Sequence, residues 1–374
     1  MKFWPFFLAF VPVCGPSAAA APESDTVRDL QELIASGRLD DASAALEGYP
    51  EPMRLRFEGL IALERGDVDQ AVRAFEGAAE HAQDPSLRLH LAHAYLLNGQ
   101  PKAALETVQT ASSAQASMVA QPLIEARARH AMGDRSGAYA VLRRASIVFQ
   151  DEIRPLLELV AIAREAGLAT EARSFARGLL TRSERSGLAP DAARALFHLL
   201  SEDEDALPIL ESISARFPDD GDLRARLARV YAGLEQWYAA ARLFDDATRL
   251  GADHAFEAAD QYRMAGRYEA ARRANARIRN EPRGRIQQLT ILFEGGEYAR
   301  VAALPNPPRD AASRYRVAYA HYALGQRGRA AALARALVRT GASGPYVQSA
   351  HALLKAMGLA TDDKAVPEAE SEPR

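Results

Sequence analysis

The stretch ERGDVDQAVRAFEGAAEHAQDP, residues 64–85, has small residues at Gly66, Ala71 and Ala78 and one large aromatic, Phe75, between the two alanines. Residues three and four apart lie on one face of an α-helix, so the alanines and Phe75 form a single stripe. The alanines allow a neighbouring helix backbone to approach closely, and Phe75 fills the space beside them. Gly66 tolerates the positive φ at which many helices end. The stretch therefore predicts the turn and the second helix of a tightly packed helical hairpin.

This spacing recurs along almost the whole chain. Its template is a turn glycine, an alanine five residues later, a large apolar residue four residues after that, and a small residue three further on. The alanine position occurs ten times, with valine in one of them, and four consecutive intervals measure 34 residues. Its members are Ala42, Ala71, Ala104, Ala138, Ala172, Ala206, Ala240, Ala271, Val301 and Ala330. Such a series predicts a repeat architecture, in which each unit buries its apolar face against the next.

The pattern resembles the tetratricopeptide-repeat family, whose unit of about 34 residues is a helix, a tight turn and an antiparallel second helix. The unit at residues 52–85 has Gly59 in its first helix, Gly66 at the turn and the alanine stripe in its second helix. The resemblance covers residues 23–358. It implies an all-α fold, a right-handed α-solenoid of about ten antiparallel helical hairpins with a C-terminal capping helix.

Two units depart from the template. In the sixth, Ser201 replaces the turn glycine, and the acidic residues 202–205 predict a solvated turn. In the ninth, Val301 replaces the alanine, and prolines that cannot continue a helix follow from Pro305. The ninth unit therefore predicts a short second helix and a break in the array.

These patterns divide the chain into four segments. We expect a signal peptide over residues 1–20, a main solenoid over residues 21–304, and a proline-rich break with the last repeat and the capping helix over residues 305–358. The last segment, residues 359–374, has no apolar period and predicts a disordered acidic tail.

The amino-terminal segment has the pattern of a secretory signal. Lys2 precedes a short apolar core at residues 3–14, and small residues follow. Ala18 and Ala20 fit the positions that signal peptidase requires, so we expect cleavage before Ala21 and a periplasmic protein. An uncleaved membrane anchor is the alternative, but a span needs about 20 apolar residues and this run is shorter.

Composition and motifs exclude several functions. Cys14 is the only cysteine and lies inside the signal, where Pro12 and Val13 argue against lipid attachment, so the mature chain has no thiol for a disulfide, a metal or catalysis. The net charge of −3 gives no nucleic-acid footprint. His90 and His93 share a helix face but lack the carboxylate or thiolate that a metal site needs. We expect no enzyme activity, no cofactor, no metal and no nucleic-acid partner.

In the family that the chain resembles, two positions of each first helix face the concave wall. Here they form a column that is basic in the middle and apolar or aromatic at its ends. The candidate partner-binding residues are His93, Arg127, His130, Arg164, His198, Arg229, Arg263, Phe293, Tyr315, Tyr319 and Tyr322. A concave surface with one sign of charge attracts a ligand of the opposite sign, here an acidic partner. The alternative is ordinary solvated helix surface, with the tyrosines as half-buried packing residues.

The resemblance implies a non-enzymatic adaptor that holds a protein or peptide in its concave groove, within a cell-envelope assembly and without stable membrane insertion after signal cleavage. The sequence does not determine the oligomeric state. A second hypothesis is an accessory factor for exopolysaccharide synthesis or export that contacts the polysaccharide. The acidic tail is a further candidate to occupy the basic column, in its own chain or in a neighbour.

The register of the template has a direct test. Ala71→Leu inserts a large side chain where two helix backbones meet, so we expect it to lower the free energy of unfolding by about 1–3 kcal/mol. Thermal or urea denaturation measures the change. An unchanged melting temperature would show that the alanine does not lie in the seam.

Overall fold

The computed structural model describes residues 25–81, 84–110, 118–340 and 344–359. Within these ranges the chain is all-helical, with twenty-one α-helices and one short 3-10 helix. None of the described helices is long and apolar enough to cross a membrane. The predicted signal, residues 1–20, lies outside the described residues, as does the predicted tail beyond residue 359.

The chain divides into two compact units, with the boundary between Ile209 and Leu210. The first unit contains five hairpins, α1 (Asp25–Ala35) with α2 (Leu39–Ala45), α3 (Glu51–Arg65) with α4 (Val68–His81), α5 (Pro85–Leu97) with α6 (Pro101–Thr110), α7 (Ala120–Ala131) with α8 (Arg135–Val148), and α9 (Arg154–Glu165) with α10 (Ala169–Ser186). They are followed by α11 (Pro190–Leu200), the 3-10 helix (Glu204–Ala206) and α12 (Leu207–Arg216), in which the boundary falls.

The second unit continues the pattern with four hairpins and a final helix. These are α13 (Gly221–Gly233) with α14 (Trp237–Arg249), α15 (Ala255–Met264) with α16 (Tyr268–Asn275), α17 (Pro282–Glu294) with α18 (Tyr298–Ala302), α19 (Ala311–Ala323) with α20 (Arg327–Val338), and α21 (Pro345–Ala356). The predicted break at Pro305 lies inside this unit.

Within each unit, helices pack on their neighbours in the chain. The second helix of one hairpin contacts the first helix of the next, as α4 contacts α5 and α14 contacts α15. First helices also contact each other directly, α5 with α7, α9 with α11 and α17 with α19. Sequential packing of helical hairpins is the arrangement that the repeat predicted, and the all-helical fold is confirmed.

The predicted register is confirmed as well. In nine of the ten repeats the template residue is the fourth residue of the second helix, and its N–H makes a hydrogen bond to the carbonyl four residues earlier. In the second repeat, for example, the Ala71 N–H donates to the Asp67 carbonyl at 3.0 Å. All ten template side chains are at most 1% exposed. In these nine repeats the second helix therefore buries the same position of its first turn in the core.

In the second repeat the first helix, α3, packs closely against the second helix, α4. At Gly59 on α3, an added Cβ atom would lie 2.6 Å from the Phe75 ring on α4. Phe75 is fully buried, as are Ala71 and Ala78 on either side of it. The glycine and the aromatic ring are thus a fitted pair across the hairpin.

The turn of the second repeat shows how the first helices end. Gly66 has φ +79°, and its N–H donates to the Leu63 carbonyl at 3.0 Å. The Asp67 N–H reaches the Ala62 carbonyl at 2.9 Å. This pair of bonds is the Schellman motif, which satisfies the last carbonyls of a helix.

The seventh repeat makes the same turn without glycine. Glu235 has φ +57°, its N–H donates to the Ala232 carbonyl, and the Gln236 N–H donates to the Tyr231 carbonyl at 2.9 Å. A left-handed conformation costs a residue with a side chain about 1 kcal/mol, so the bonds and packing of the hairpin hold Glu235 in place.

At the sixth turn the interpretation of residues 202–205 as a solvated turn is wrong for one residue. Asp203 is only 8% exposed, and the Arg173 guanidinium donates to both of its carboxylate oxygens, at 2.8 and 2.9 Å. The Asp203 carbonyl also accepts the Ala206 N–H. An acidic residue that pairs with the preceding second helix thus replaces the glycine turn, and it places Ala206 in the core at the end of a 3-10 helix instead of inside an α-helix.

The predicted short second helix of the ninth repeat and the predicted capping helix are both present. Helix α18 has only five residues, and Val301 in it is 1% exposed. The closing helix α21 contacts both α19 and α20, and it buries Leu353 and Leu354 in the cluster that contains Leu337.

The fit between Gly59 and Phe75 has a matched test in the first unit. Gly59→Ala forces a Cβ into the Phe75 ring, so we expect the free energy of unfolding to fall by about 1–3 kcal/mol. Gly178→Ala is the control, because a Cβ there meets only Leu156, at 3.8 Å, and alanine favours helix by up to about 1 kcal/mol. Urea unfolding should give shifts of opposite sign, and equal shifts would show that Gly59 is not needed for packing.

Candidate partner-binding surface

The predicted column falls into two groups, one in each compact unit, and all its members lie on first helices. In the first unit they are His93 on α5, Arg127 and His130 on α7, Arg164 on α9 and His198 on α11. In the second unit they are Arg229 on α13, Arg263 on α15, Phe293 on α17, and Tyr315, Tyr319 and Tyr322 on α19.

Arg127 is buried in an ion pair between first helices. Its Nε donates to Glu158 Oε1 on α9 at 2.9 Å, and one terminal nitrogen donates to the same oxygen. The two side chains are 7% and 4% exposed. Removing one partner of such a pair leaves an uncompensated buried charge, which typically costs about 3–5 kcal/mol. Arg127 therefore connects neighbouring repeats and offers no charge at the surface.

Two other basic residues of the first unit also contact the next first helix or the turn beyond it. His130 Nε2 lies 2.9 Å from Glu165 Oε2 on α9. Arg164 donates from Nε to the Leu199 carbonyl at 2.8 Å, close to the end of α11, where helix carbonyls lack partners inside the helix. Its guanidinium also lies 3.9 Å from the carboxylate of Asp203.

Arg263 in the second unit is held by two carboxylates. It pairs with Asp260 on its own helix and with Glu294 on α17, both at 2.8 Å. Arg263 and Glu294 are 31 residues apart, as are Arg127 and Glu158. The signal for this pairing was present in the sequence, as a carboxylate slightly less than one repeat after each arginine, but the column of basic residues considered alone does not show it.

The remaining basic residues of the column are exposed. His198 lies on the surface of α11, and Arg229 lies on the surface of α13, where it makes no ion pair within the described residues. The described pairs thus neutralise Arg127 and Arg263, and the role of the column in binding a partner stays a prediction.

His93 lies in the core beside His90. The His90 ring stacks on Phe75 with ring centroids 5.7 Å apart, and neither of its nitrogens has a hydrogen-bond partner among the described residues. Burial, followed by the nearby Arg56 charge, lowers the pKa of His90 to about 3. Burial and the Arg127 charge lower the pKa of His93 to about 4. Both histidines are therefore neutral packing residues, and no group of three potential metal ligands occurs in the described part of the chain.

The aromatic candidates come together in the second unit. We call this group the aromatic cluster, and it consists of Phe293, Tyr298, Tyr315, Tyr319, Tyr322 and Tyr346. Tyr319 lies at its centre, with ring centroids at 5.5 Å from Phe293, 5.8 Å from Tyr298 and 6.1 Å from Tyr322. All six rings are half-buried, so each packs on a neighbour and keeps a part of its surface exposed.

Sequence reasoning missed two members of the aromatic cluster. Tyr298 begins the short helix α18, and Tyr346 lies in the first turn of the capping helix α21. Neither belongs to a first helix of the repeat, so the two positions that define the column exclude both. The contact of α21 with α19 brings Tyr346 to 6.2 Å from Tyr315.

Helical hairpins that repeat one register define the class of helical-repeat proteins. Residues 62–121 match the tetratricopeptide-repeat family model, and the same helical register continues through the described chain. A comparison with curated proteins finds no match.

Solved structures of similar fold cover parts of the chain. A thermophilic tetratricopeptide-repeat protein of Thermus thermophilus is 23% identical with a TM-score of 0.39, over 48% of this chain and 99% of its own. PilW, a widely conserved type IV pilus biogenesis factor, is 15% identical with a TM-score of 0.44, over 52% of this chain and 92% of its own. A tetratricopeptide-repeat protein of Parabacteroides merdae is 14% identical with a TM-score of 0.36, over 82% of this chain and 98% of its own.

The buried histidines predict a loss of stability in acid. Their folded pKa values lie below the ordinary 6.5, so the unfolded chain binds protons first, and stability is full above pH 6.5 and falls as the pH decreases toward 4. Between pH 7 and pH 5 each histidine should contribute a loss of up to about 2 kcal/mol. The charges nearest to them are Arg56, Asp84 and Arg127.

Urea unfolding at several pH values measures this loss. His90→Leu should flatten the dependence, because the buried group no longer titrates. His81→Gln, at an exposed position on α4, is the matched control and should keep the dependence of the natural chain. Parallel curves for the natural chain and His90→Leu would contradict the assignment.

Proposed function

We propose that this protein is a non-enzymatic scaffold that binds a protein or peptide partner through the first helices of its repeats. The aromatic cluster of the second unit is the observation that supports this proposal most strongly. Stacked helical repeats present extended surfaces of this kind, and tetratricopeptide repeats typically bind proteins.

The aromatic cluster has the properties of a protein-binding hot spot. Tyrosine offers a large apolar face with few rotatable bonds, and its hydroxyl group makes hydrogen bonds at a wet interface. The contacts of Tyr319 with Phe293 and Tyr298 hold the rings in place before a partner arrives. When a partner covers the exposed parts of these rings, the side chains of the scaffold therefore lose little conformational entropy.

We place the scaffold in the periplasm, within a cell-envelope assembly. The signal-like sequence at residues 1–20 supports this location. Because the only cysteine leaves with the signal, the mature chain has no disulfide and depends on packing for its stability in that compartment. The buried alanines of the repeat supply such packing.

A second function has support from the same aromatic cluster. Exposed tyrosine faces also stack on the apolar faces of sugar rings, so the cluster fits an accessory factor for exopolysaccharide synthesis or export. The two functions differ in the nature of the bound polymer, and one crosslinking experiment distinguishes them.

A photoreactive phenylalanine analogue at position 322, in the aromatic cluster, should crosslink the partner in living cells. The same analogue at position 238 is the control, because Tyr238 is 51% exposed but lies outside the cluster. We expect adducts at position 322 only, released with the periplasmic fraction by osmotic shock and digested by protease. Adducts that resist protease and yield to glycosidase would favour the polysaccharide function. Equal adducts at both positions would contradict the cluster as a binding site, and adducts confined to the cytosol would contradict the location.

A further inference from the structure

The last hairpin and the capping helix differ in charge from the rest of the second unit. Residues 210–304 contain fifteen arginines against fourteen acidic residues. Residues 305–359 contain seven arginines and one lysine against a single acidic residue, Asp310. A nearly neutral array thus ends in a strongly basic segment.

Ion pairing follows the same division. In residues 210–304 many carboxylates pair with arginines, as Asp245 pairs with Arg277 and Asp253 with Arg283. In the last hairpin Asp310 caps α19 by accepting the Ser313 N–H at 2.9 Å. Within residues 305–340 and 344–359, the structure shows no ion pair to Arg309, Arg314, Arg316, Arg327, Arg329, Arg335 or Lys355.

Several of these cations gather at one end of the hairpin. Arg309 lies just before α19, Arg314 and Arg316 lie in its first two turns, and Arg335 lies in the last turn of the antiparallel helix α20. We call these four residues the basic end. The capping helix α21 begins at the same end, so the basic end adjoins the first turn of α21 as well as the first turn of α19, which Asp310 caps.

The basic end is continuous with the aromatic cluster. The Arg316 guanidinium carbon lies 5.8 Å from the centre of the Tyr346 ring, and Tyr346 lies 6.2 Å from Tyr315. Arginine and tyrosine are the residues that most often dominate binding energy at protein interfaces. The two features therefore form one surface with a charged part and an apolar part.

We propose that the basic end and the aromatic cluster together bind an acidic segment of a partner protein, in which several carboxylates lie next to an apolar side chain. This inference rests on the proposed function and names the chemistry of its partner. The arginine fork matches a carboxylate with two parallel hydrogen bonds, and uncompensated positive charge speeds the encounter with an acidic chain.

The packing of the aromatic cluster favours a peptide over single-stranded nucleic acid. Stacking of successive bases requires free ring faces. Here Tyr319 meets Phe293 and Tyr298 edge to face, at interplanar angles of 71° and 62°, so neighbouring rings occupy the space around it. The exposed remainder suits one apolar side chain better than a run of bases.

The test uses the full chain and a fluorescein-labelled peptide of eight glutamates with a central phenylalanine. Fluorescence anisotropy should show binding that weakens as salt increases from about 0.1 M to 0.5 M, because salt screens exposed charges. Arg314→Glu with Arg316→Glu should weaken binding at least about tenfold. The control is Arg73→Glu with Arg144→Glu, which changes the net charge equally at exposed positions on α4 and α8 where the structure describes no ion pair.

Two further variants and probes make the outcome decisive. Circular dichroism of each double variant establishes that it folds, and Arg314→Gln with Arg316→Gln gives a milder change if the reversal does not. Equal loss in the control pair would overturn the proposal, as would equal binding of a peptide with glutamine in place of glutamate. Tighter binding of single-stranded DNA or heparin, lost in the same variant, would reassign the surface to another polyanion. Crosslinking at position 322 that persists without peptide binding would overturn this inference and leave the scaffold function standing.

Discussion

One steric constraint underlies most of the fold, which is the absence of a large side chain at the fourth residue of the second helix in nine of the ten repeats. Ala71, Ala104 and Ala240 are all fully buried at that position, and their backbone N–H groups close the first turn of the helix. A methyl group there lets the neighbouring backbone approach until larger side chains such as Phe75 fill the remaining space. Because each hairpin offers the same close contact, the chain needs few interactions between residues distant in sequence.

This constraint explains why so much of the fold could be predicted from the sequence. A small residue that recurs at intervals of 29 to 34 residues is visible without knowing what it touches, and it predicts the positions of the helices, the turns and the core together. The prediction was weaker at turns that form by other means. Glu235 forms the same turn as the glycines although it has a side chain. Asp203 forms a different turn by pairing with Arg173, which lies in α10, the second helix of the preceding repeat. Nothing in a local pattern states that such a partner exists.

The candidate surface was less predictable for the same reason. The position of a residue on a first helix indicates on which side of the helix it lies. Whether its charge is available to a ligand depends on the residues that the next repeat places beside it. Arg127 and Arg263 lie on first helices and pair with Glu158 and Glu294 of the next repeat, so they link neighbouring repeats. The position of an arginine on a first helix does not by itself show such a pair. The aromatic cluster was found in part, because Phe293 and Tyr319 belong to first helices, whereas Tyr346 comes from the cap.

The end of the array is where this internal pairing stops. A repeat in the middle has a following repeat to supply a carboxylate, as α17 supplies Glu294 to Arg263. Among the described residues, the last hairpin is followed by the capping helix α21, whose residues 345–356 contain no acidic side chain. Arg314, Arg316, Arg327, Arg329 and Arg335 have no ion-pair partner within the described part of the chain, while the cap still buries apolar surface through Leu353 and Leu354. In the second unit, the excess of positive charge among the described residues thus lies where the repetition ends, next to the half-buried aromatic cluster.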